Sequence, residues 1–261
     1  MKADDCLDED CVQQTLSDGV LIIAINRPEA RNAINGAVAR GIAAALDRLD
    51  ADADIKVGIL TGAGNVFSSG ADLKGLASGD LPVVAGRGFG GIAENPPAKP
   101  LIAAVEGYAV GGGFELALAS DLIIASTGAR FGIPEVKRGL VASGGGLLRL
   151  PVQMPPRIAM ELALTGDWMD ARRAYELGLV NQVAEDGQAL QTALEIARKI
   201  AANGPLAVLA SKKIIRESPG WVPAEMFKEQ RRHSAPVFKS EDAKEGALAF
   251  IEKRAPSWRG K

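Results

Sequence analysis

Hydrophobic positions in the first quarter of the chain fall in short runs separated by turn residues. Residues 12–16 lead into Asp18-Gly19, and VLIIAIN follows, ending at Arg27-Pro28. An Asp-Gly pair between two such runs predicts a β-hairpin, because both residues accept the positive φ of a tight turn. Residues 36–49 (GAVARGIAAALDRL) carry apolar side chains at helical spacing, and KVGILTG at 56–62 reads as a short buried strand closed by glycine. Strand, helix, strand is the unit of a parallel sheet covered by helices.

Residues 65–100 show little periodicity and are rich in Gly, Ser and Pro. A structureless stretch of that length predicts a binding or lid segment. PLIAAVEG at 100–107 then reads as a buried strand, 111–120 as a short apolar helix, and DLIIAS at 121–126 as another strand. Beyond Ser143 the pattern becomes helical, with helices predicted at 156–165, 170–177, 188–203, 205–217, 223–238 and 240–253. Asp170 supplies an N-cap before ARRAYEL with Gly178 after it, while Asn203-Gly204 closes one helix and Pro205 opens the next. The expected class is an α/β core that hands over to a helical C-terminal third.

Composition narrows the function. A hydrophobic fraction of 47% can fill a sizeable core, and a net charge of −2 gives no general attraction to nucleic acid or anionic lipid. Any phosphate-bearing ligand must therefore be held by local donors. Cys6 and Cys11 sit in an acidic, loose N-terminal segment and form neither a disulfide framework nor a metal-ligand set, so a reducing, cytoplasmic setting is expected. MKADDCLDEDC has acid where an export signal has basic and apolar residues, and apolar runs such as 20–25 are too short to span a bilayer.

The one histidine, His233, lies in EQRRHSA and is expected to be solvated, so histidine triads and zinc sites lack their parts; G-x-S-x-G is absent. Residues 86–91 (GRGFGG) fit the dinucleotide-binding spacing, but IAENPPAKP follows and cannot be the helix that motif needs. A flexible glycine-rich loop is the expectation there.

What remains is a constellation of three segments. In YAVGGGFELALASD, residues 108–121, glycines precede a helix that is apolar apart from Glu115. Free N–H groups at such a helix start can stabilise an oxygen gaining negative charge. A first-turn Glu can simply complement the helix dipole, but apolar neighbours on every side make burial of this one costly without a purpose. FSSGADL at 67–73 is a small-residue turn after a buried strand, and FGIPE at 131–135 places Pro134 just before a second carboxylate, Glu135.

Together with NRPEARNAIN at 26–35 and SEDAKEGALAFIEKR at 240–254, these segments resemble the crotonase (enoyl-CoA hydratase/isomerase) superfamily over nearly the whole chain. The tail and GGGLLRLP at 144–151 resemble in particular the branch containing carnitinyl-CoA dehydratase. The resemblance implies a spiral of ββα turns over residues 1–200. It implies a helical region at 201–261 that builds a homotrimer, or a hexamer of paired trimers, and completes part of the CoA site. It also implies an acyl-CoA thioester substrate with CoA as its carrier, and no metal or other cofactor.

By matching motif positions, the resemblance makes Glu115 and Glu135 the catalytic carboxylates and the N–H groups of Ala71 and Gly112 the oxyanion hole. Arg27, Ala30, Arg31 and Ala33, with Ser69, Ala71, Asp72 and Leu73, would wall the CoA moiety. Tyr108, Gly111, Gly112 and Pro134 would border the substrate, and Phe250 and Lys253 would reach CoA, in some relatives across a subunit boundary. Reversible addition of water to a trans-2-enoyl-CoA is the implied reaction. Carnitinyl-like dehydration, isomerisation and thioester hydrolysis are the alternatives. The turn GLVASGGG after Glu135 lacks the proline of many hydratases, which leaves the acyl group open.

Overall fold

A computed structural model describes residues 11–261. In chain order the elements are β1 (Val12–Ser17), β2 (Val20–Ile25), α1 (Gly36–Ala51), β3 (Val57–Gly62), α2 (Leu73–Ser78), β4 (Val83–Val84) and β5 (Gly88–Phe89). Then come β6 (Leu101–Val105), β7 (Tyr108–Val110), α3 (Gly112–Ala119), β8 (Leu122–Ser126), β9 (Arg130–Gly132), a 3-10 turn (Pro134–Arg138), α4 (Gly146–Gln153) and α5 (Pro156–Thr165). The chain ends with β10 (Trp168–Asp170), α6 (Ala171–Glu176), β11 (Gln182–Ala184), α7 (Ala189–Ala201), α8 (Pro205–Glu217), α9 (Met226–Phe238) and α10 (Glu241–Glu252).

The main sheet has the order β1-β2-β3-β6-β8-β11 and is parallel except for the β1–β2 hairpin. That hairpin closes through Asp18 (φ 50°) and Gly19 (φ 75°), as the Asp-Gly pair predicts. Strands β2, β3, β6 and β8 are covered on both faces, while β1 at the edge is largely exposed. Leu21, Ile23, Ile25 and Leu60 pack with Val38, Ile42 and Leu46 of α1, whereas Val20, Val57, Ile59 and Ile124 pack with Ala193 and Ala197 of α7. Burial on both sides explains why these strands read as continuous apolar runs rather than alternating ones.

A second sheet runs beside the first in the order β10-β9-β7. The chain alternates between the two, passing from β6 to β7, through α3 to β8, and on to β9, which are successive ββα turns. Phe114 of α3 meets Phe131 of β9 with ring centroids 5.3 Å apart and joins the layers.

Several expectations need correction. Residues 65–100 are not structureless, for α2 is capped by the Asp72 side chain and followed by the β4–β5 hairpin. The GRGFGG loop contains no helix, as anticipated, but it is packed rather than free. A Cβ on Gly90 would lie 2.6 Å from Leu116 Cδ1, and one on Gly91 would lie 2.9 Å from the Ala43 nitrogen of α1. Cys11 is fully buried in the main core rather than part of a loose segment, and its backbone carbonyl accepts from Asn26 N beside the β1–β2 hairpin; Cys6 lies outside the described residues. The stretch 223–238 divides into a 3-10 turn, Pro223–Glu225, and α9. Among the described residues no helix is long and apolar enough to cross a membrane.

Candidate active site

The second layer gathers the site. Ile34 bridges to Ala71, Ser68 bridges to Ala109, and β7 pairs with β9, all in parallel. The chain therefore leaves this layer at three neighbouring places: Gly70-Ala71, Gly111-Gly112 and Pro134-Glu135. Carboxyl ends of parallel strands are where open α/β sheets form clefts. Gly111 makes the turn from β7 into α3 at φ 55°, ψ −131°, a conformation essentially reserved for glycine, and its N–H donates to the Gly132 carbonyl at 2.8 Å.

Two backbone N–H groups end up side by side. Gly112 is the first residue of α3, so its N–H has no acceptor within the helix. The bridge to Ile34 uses Gly70 O and Asp72 N, leaving Ala71 N directed away from it. Ala71 N is 3.4 Å from where a Cβ on Gly112 would sit, and Gly112 N is 3.1 Å from where one on Gly70 would sit. Neither N–H has a backbone partner among the described residues. A pair of unspent donors backed by a helix N-terminus suits an oxygen that acquires negative charge.

Facing them are the two carboxyl groups. Glu115, one turn into α3, is only 3% exposed, and its Oε1 accepts from Gly146 N at 2.9 Å. Burial raises its pKa above the ordinary carboxylate value. The Gly146 N–H pulls it back, the Glu135 charge pushes it up, and the Gly144 N–H and Arg149 pull it down. Glu135 sits in the first turn of Pro134–Arg138, where burial again raises its pKa. Its Oε2 is buried without a hydrogen-bond partner. A lone buried acceptor is costly, so it marks a position kept for something other than stability. Arg149, whose own pKa is lowered chiefly by burial, donates from Nη2 to the Ala93 carbonyl at 2.5 Å.

These groups open on a cavity of 660 Å³. Of the residues singled out from the sequence, Arg31, Ser69, Ala71, Leu73, Tyr108, Gly111, Gly112, Glu115, Pro134 and Glu135 line it. Arg27 and Asp72 do not. They pair with each other at 3.0 Å, and Arg27 also donates to the Ala33 carbonyl at 2.8 Å, which ties the turn before α1 to the start of α2. Burial pushes the Asp72 pKa up, but Arg27 and the Gly75 and Lys74 N–H groups outweigh it and hold the carboxyl below its usual value. Ala30 and Ala33 are half-buried in that same turn, outside the cavity lining. Phe250, 86% exposed, and Lys253, at the C-cap of α10, also lie outside it.

Sequence reasoning passed over Phe89 and Trp168, which line the cavity, and took the turn holding Ser143 and Gly144, which also line it, only as bearing on the acyl group. The Phe89 ring lies against both Gly112 and Gly144. The sequence signals for this wall were the turn after Glu135 and its glycine triplet at 144–146, whose Gly146 holds Glu115 from 31 positions further along the chain.

Comparison with known proteins gives the chain its family. Residues 15–261 match the Enoyl-CoA hydratase/isomerase family. A carnitinyl-CoA dehydratase from Proteus mirabilis is 42% identical over 255 residues, covering 95% of this chain and 97% of the relative. The enoyl-CoA hydratase EchA19 of Mycobacterium tuberculosis is 44% identical over 252 residues, covering 92% and 93%. The crystal structure of an enoyl-CoA hydratase from Mycobacterium tuberculosis superposes with a TM-score of 0.96 at 61% identity, covering 97% of this chain and 100% of that one.

Proposed function

We propose that this chain, which belongs to the enoyl-CoA hydratase/isomerase family, adds water reversibly across the double bond of a trans-2-enoyl-CoA thioester. The observation that carries this reading is the pair of buried carboxyl groups, Glu115 and Glu135, in one cavity with the unspent N–H groups of Ala71 and Gly112. The thioester carbonyl accepts from those two N–H groups, so that negative charge building on its oxygen meets fixed donors. One such donor is worth roughly 3 kcal/mol of barrier.

Glu115, held by the Gly146 N–H with Arg149 nearby, suits the ionised partner that takes a proton from water as its oxygen attacks the β-carbon. Glu135, with an unpartnered oxygen, suits the protonated partner that delivers a proton to the α-carbon. The two share one site, so they titrate as a pair rather than singly. Dehydration of the 3-hydroxyacyl ester is the same path reversed. The chemistry proposed uses no cofactor beyond the CoA of the substrate.

Isomerisation can proceed with one carboxylate, and the presence of two favours hydration. Exposed Phe238, Phe250 and Ile251 on the C-terminal helices support assembly into a trimer or hexamer, with Phe250 and Lys253 reaching CoA on a neighbouring copy. Sedimentation at a trimer or hexamer mass tests that part.

The reaction is tested by the loss of conjugated enoyl-thioester absorbance with crotonyl-CoA and longer esters. Glu115→Gln and Glu135→Gln should each lower kcat by on the order of 100-fold or more. Near wild-type turnover in either variant defeats the paired-carboxylate mechanism, and inertness toward every 2-enoyl ester alongside shift of a 3-enoyl double bond makes the protein an isomerase.

A further inference from the structure

The glycine-rich segment at 86–91 (GRGFGG) is built around one aromatic side chain. Gly88, Gly90 and Gly91 all take positive φ, at 73°, 60° and 72°. They also let the backbone settle where side chains would collide with Glu94, with Leu116 of α3 and with Ala43 of α1. Phe89 stands among them, paired with Val83 across the β4–β5 hairpin. Its carbonyl accepts from Ala93 N at 3.1 Å, and the Ala93 carbonyl accepts in turn from Arg149 Nη2 at 2.5 Å. Arg87 pairs with Asp47 of α1 and donates from Nη1 to the Asn95 carbonyl at 2.9 Å. The turn is thereby fastened to α1 on one side. On the other it is fastened to α4, the helix whose Gly146 N holds Glu115.

This mount holds a ring against the site. A Cβ on Gly112 would lie 2.5 Å from Phe89 Cε1 and 3.4 Å from Ala71 N, so one edge of the ring abuts the pair of unspent N–H groups. A Cβ on Gly144 would lie 3.0 Å from Phe89 Cδ1 and 2.5 Å from Glu115 Oε2. The next atom along the same edge therefore faces the carboxyl across a gap the size of one methyl group. The ring bridges the space from the N–H pair to Glu115.

We propose that Phe89 is a positioning residue that acts through Glu115: its ring keeps bulk water off the carboxyl, so that Glu115 meets only the water it activates. The proposal rests on the hydratase reading, in which Glu115 is the ionised partner. Extra water beside a carboxylate donates hydrogen bonds that favour the charged form and weaken it as a base. It also competes with the reacting water for the same oxygen. An apolar wall prevents both, and burial is the largest influence on the Glu115 pKa, which it raises. The glycines of 86–91 then serve to bring this ring down between α1 and α3.

Three substitutions grade the wall. Phe89→Leu keeps an apolar group that fills much of the space. Phe89→Val fills less of it, and Phe89→Ala leaves a gap beside a carboxyl, large and polar enough for water to enter. The measurement is the pH dependence of kcat/KM on crotonyl-CoA, which climbs along an acidic limb as the site ionises. Phe89→Ala should move that limb to lower pH by roughly 0.5–1 unit, because a wetter carboxyl ionises more readily. Its kcat should fall about 10-fold. Phe89→Val should move the limb by a smaller step in the same direction, which keeps the test alive if the alanine variant fails to fold. Phe89→Leu should leave it in place. An unmoved limb in both Phe89→Ala and Phe89→Val overturns the proposal whatever happens to kcat or KM, since packing alone then explains Phe89. So does a limb that moves as far in Phe89→Leu as in Phe89→Ala.

Thermal unfolding at pH 8 separates this proposal from the hydratase reading. Glu115→Gln removes a carboxylate that burial makes costly, so its melting point is compared with that of its parent, in wild type and again in the Phe89→Val background. The advantage of glutamine should shrink by about half or more once water reaches position 115. That outcome supports the role of Phe89 even where no enoyl ester is hydrated, and an undiminished advantage overturns it even where crotonyl-CoA is hydrated.

Discussion

Gly144→Ala isolates the placement of Glu115 from its chemistry. Gly144 does not have a positive φ, so alanine meets no left-handed strain there. Its Cβ would nevertheless lie 2.5 Å from Glu115 Oε2, 2.9 Å from Glu115 Cδ and 3.0 Å from Phe89 Cδ1. Restoring an ordinary contact requires the carboxylate to retreat by about 1 Å. It has little room to do so, because its other oxygen is held by Gly146 N at 2.9 Å. A misplacement of about 1 Å at a reacting group costs on the order of 100-fold in rate, and overpacking of this kind costs about 1–3 kcal/mol in stability, a few degrees in Tm. Steady-state kinetics on crotonyl-CoA should therefore show a kcat lowered roughly 100-fold with KM much less affected. Thermal unfolding should show a protein that is still folded at assay temperature. Gly220→Ala, where nothing lies within 4 Å, is the silent control. A folded Gly144→Ala protein with kcat within threefold of wild type would refute the reasoning, because the carboxylate could then work from a displaced position.

Three further outcomes follow from the same geometry. Burial holds Glu135 above its usual 4.5, so its contribution to stability is full below that pH and is lost as pH rises through the raised value. Glu135→Gln should accordingly melt higher than wild type near neutral pH, with the gap closing toward pH 4.5, and a lower melting point near neutrality contradicts this. Arg149 pulls the Glu115 pKa down, so Arg149→Ala should move the acidic limb of the kcat/KM profile to higher pH, with Arg149→Lys largely restoring it; an unmoved limb removes Arg149 from the site's electrostatics. Asp121 accepts from Leu101 N at 2.8 Å and from Lys212 Nζ at 2.6 Å, with side chains 22% and 10% exposed for Asp121 and Lys212. Asp121→Ala strands a buried ammonium and should cost roughly 3 kcal/mol by urea unfolding, against which a loss below 1 kcal/mol would count.

The legible parts of the fold are those where local chemistry decides. Asp18-Gly19 specifies a hairpin by itself, Asp170 caps α6 by accepting from Arg173 N, and Pro205 opens α8. The three-residue strands β7, β9 and β10 are too short to show a period, and they are the strands that assemble the site. Helix α4 begins in a glycine run and contains Pro151, so its composition reads as loop while tertiary packing makes it helix. In the site, Glu115 was conspicuous as a charge among apolar neighbours. The groups that tune it, Gly144, Gly146 and Arg149, come from a distant turn and become visible only when α3 and α4 pack together. Arg27 and Asp72 sit in segments that do border the cavity, but pairing with each other turns them away from its lining.

That distant turn joins two requirements within a few residues. At its end, Gly146 N holds Glu115, and a Cβ on Gly146 would lie 3.1 Å from Glu115 Oε1, while Gly145, at φ 99°, takes a conformation few other residues accept. At its middle, Val141, itself largely exposed, lines the cavity, while Ala142 is buried. Positions 144 and 146 are thus tied to the carboxylate by direct contact, and 145 by its backbone conformation. Substitution at 141 should change which acyl group is accepted while kcat on crotonyl-CoA persists; substitution at 144–146 should lower turnover of every ester alike. A scan in which Val141 variants lost crotonyl-CoA turnover as severely as Gly144→Ala would show that acyl selection and carboxylate placement cannot be separated in this loop.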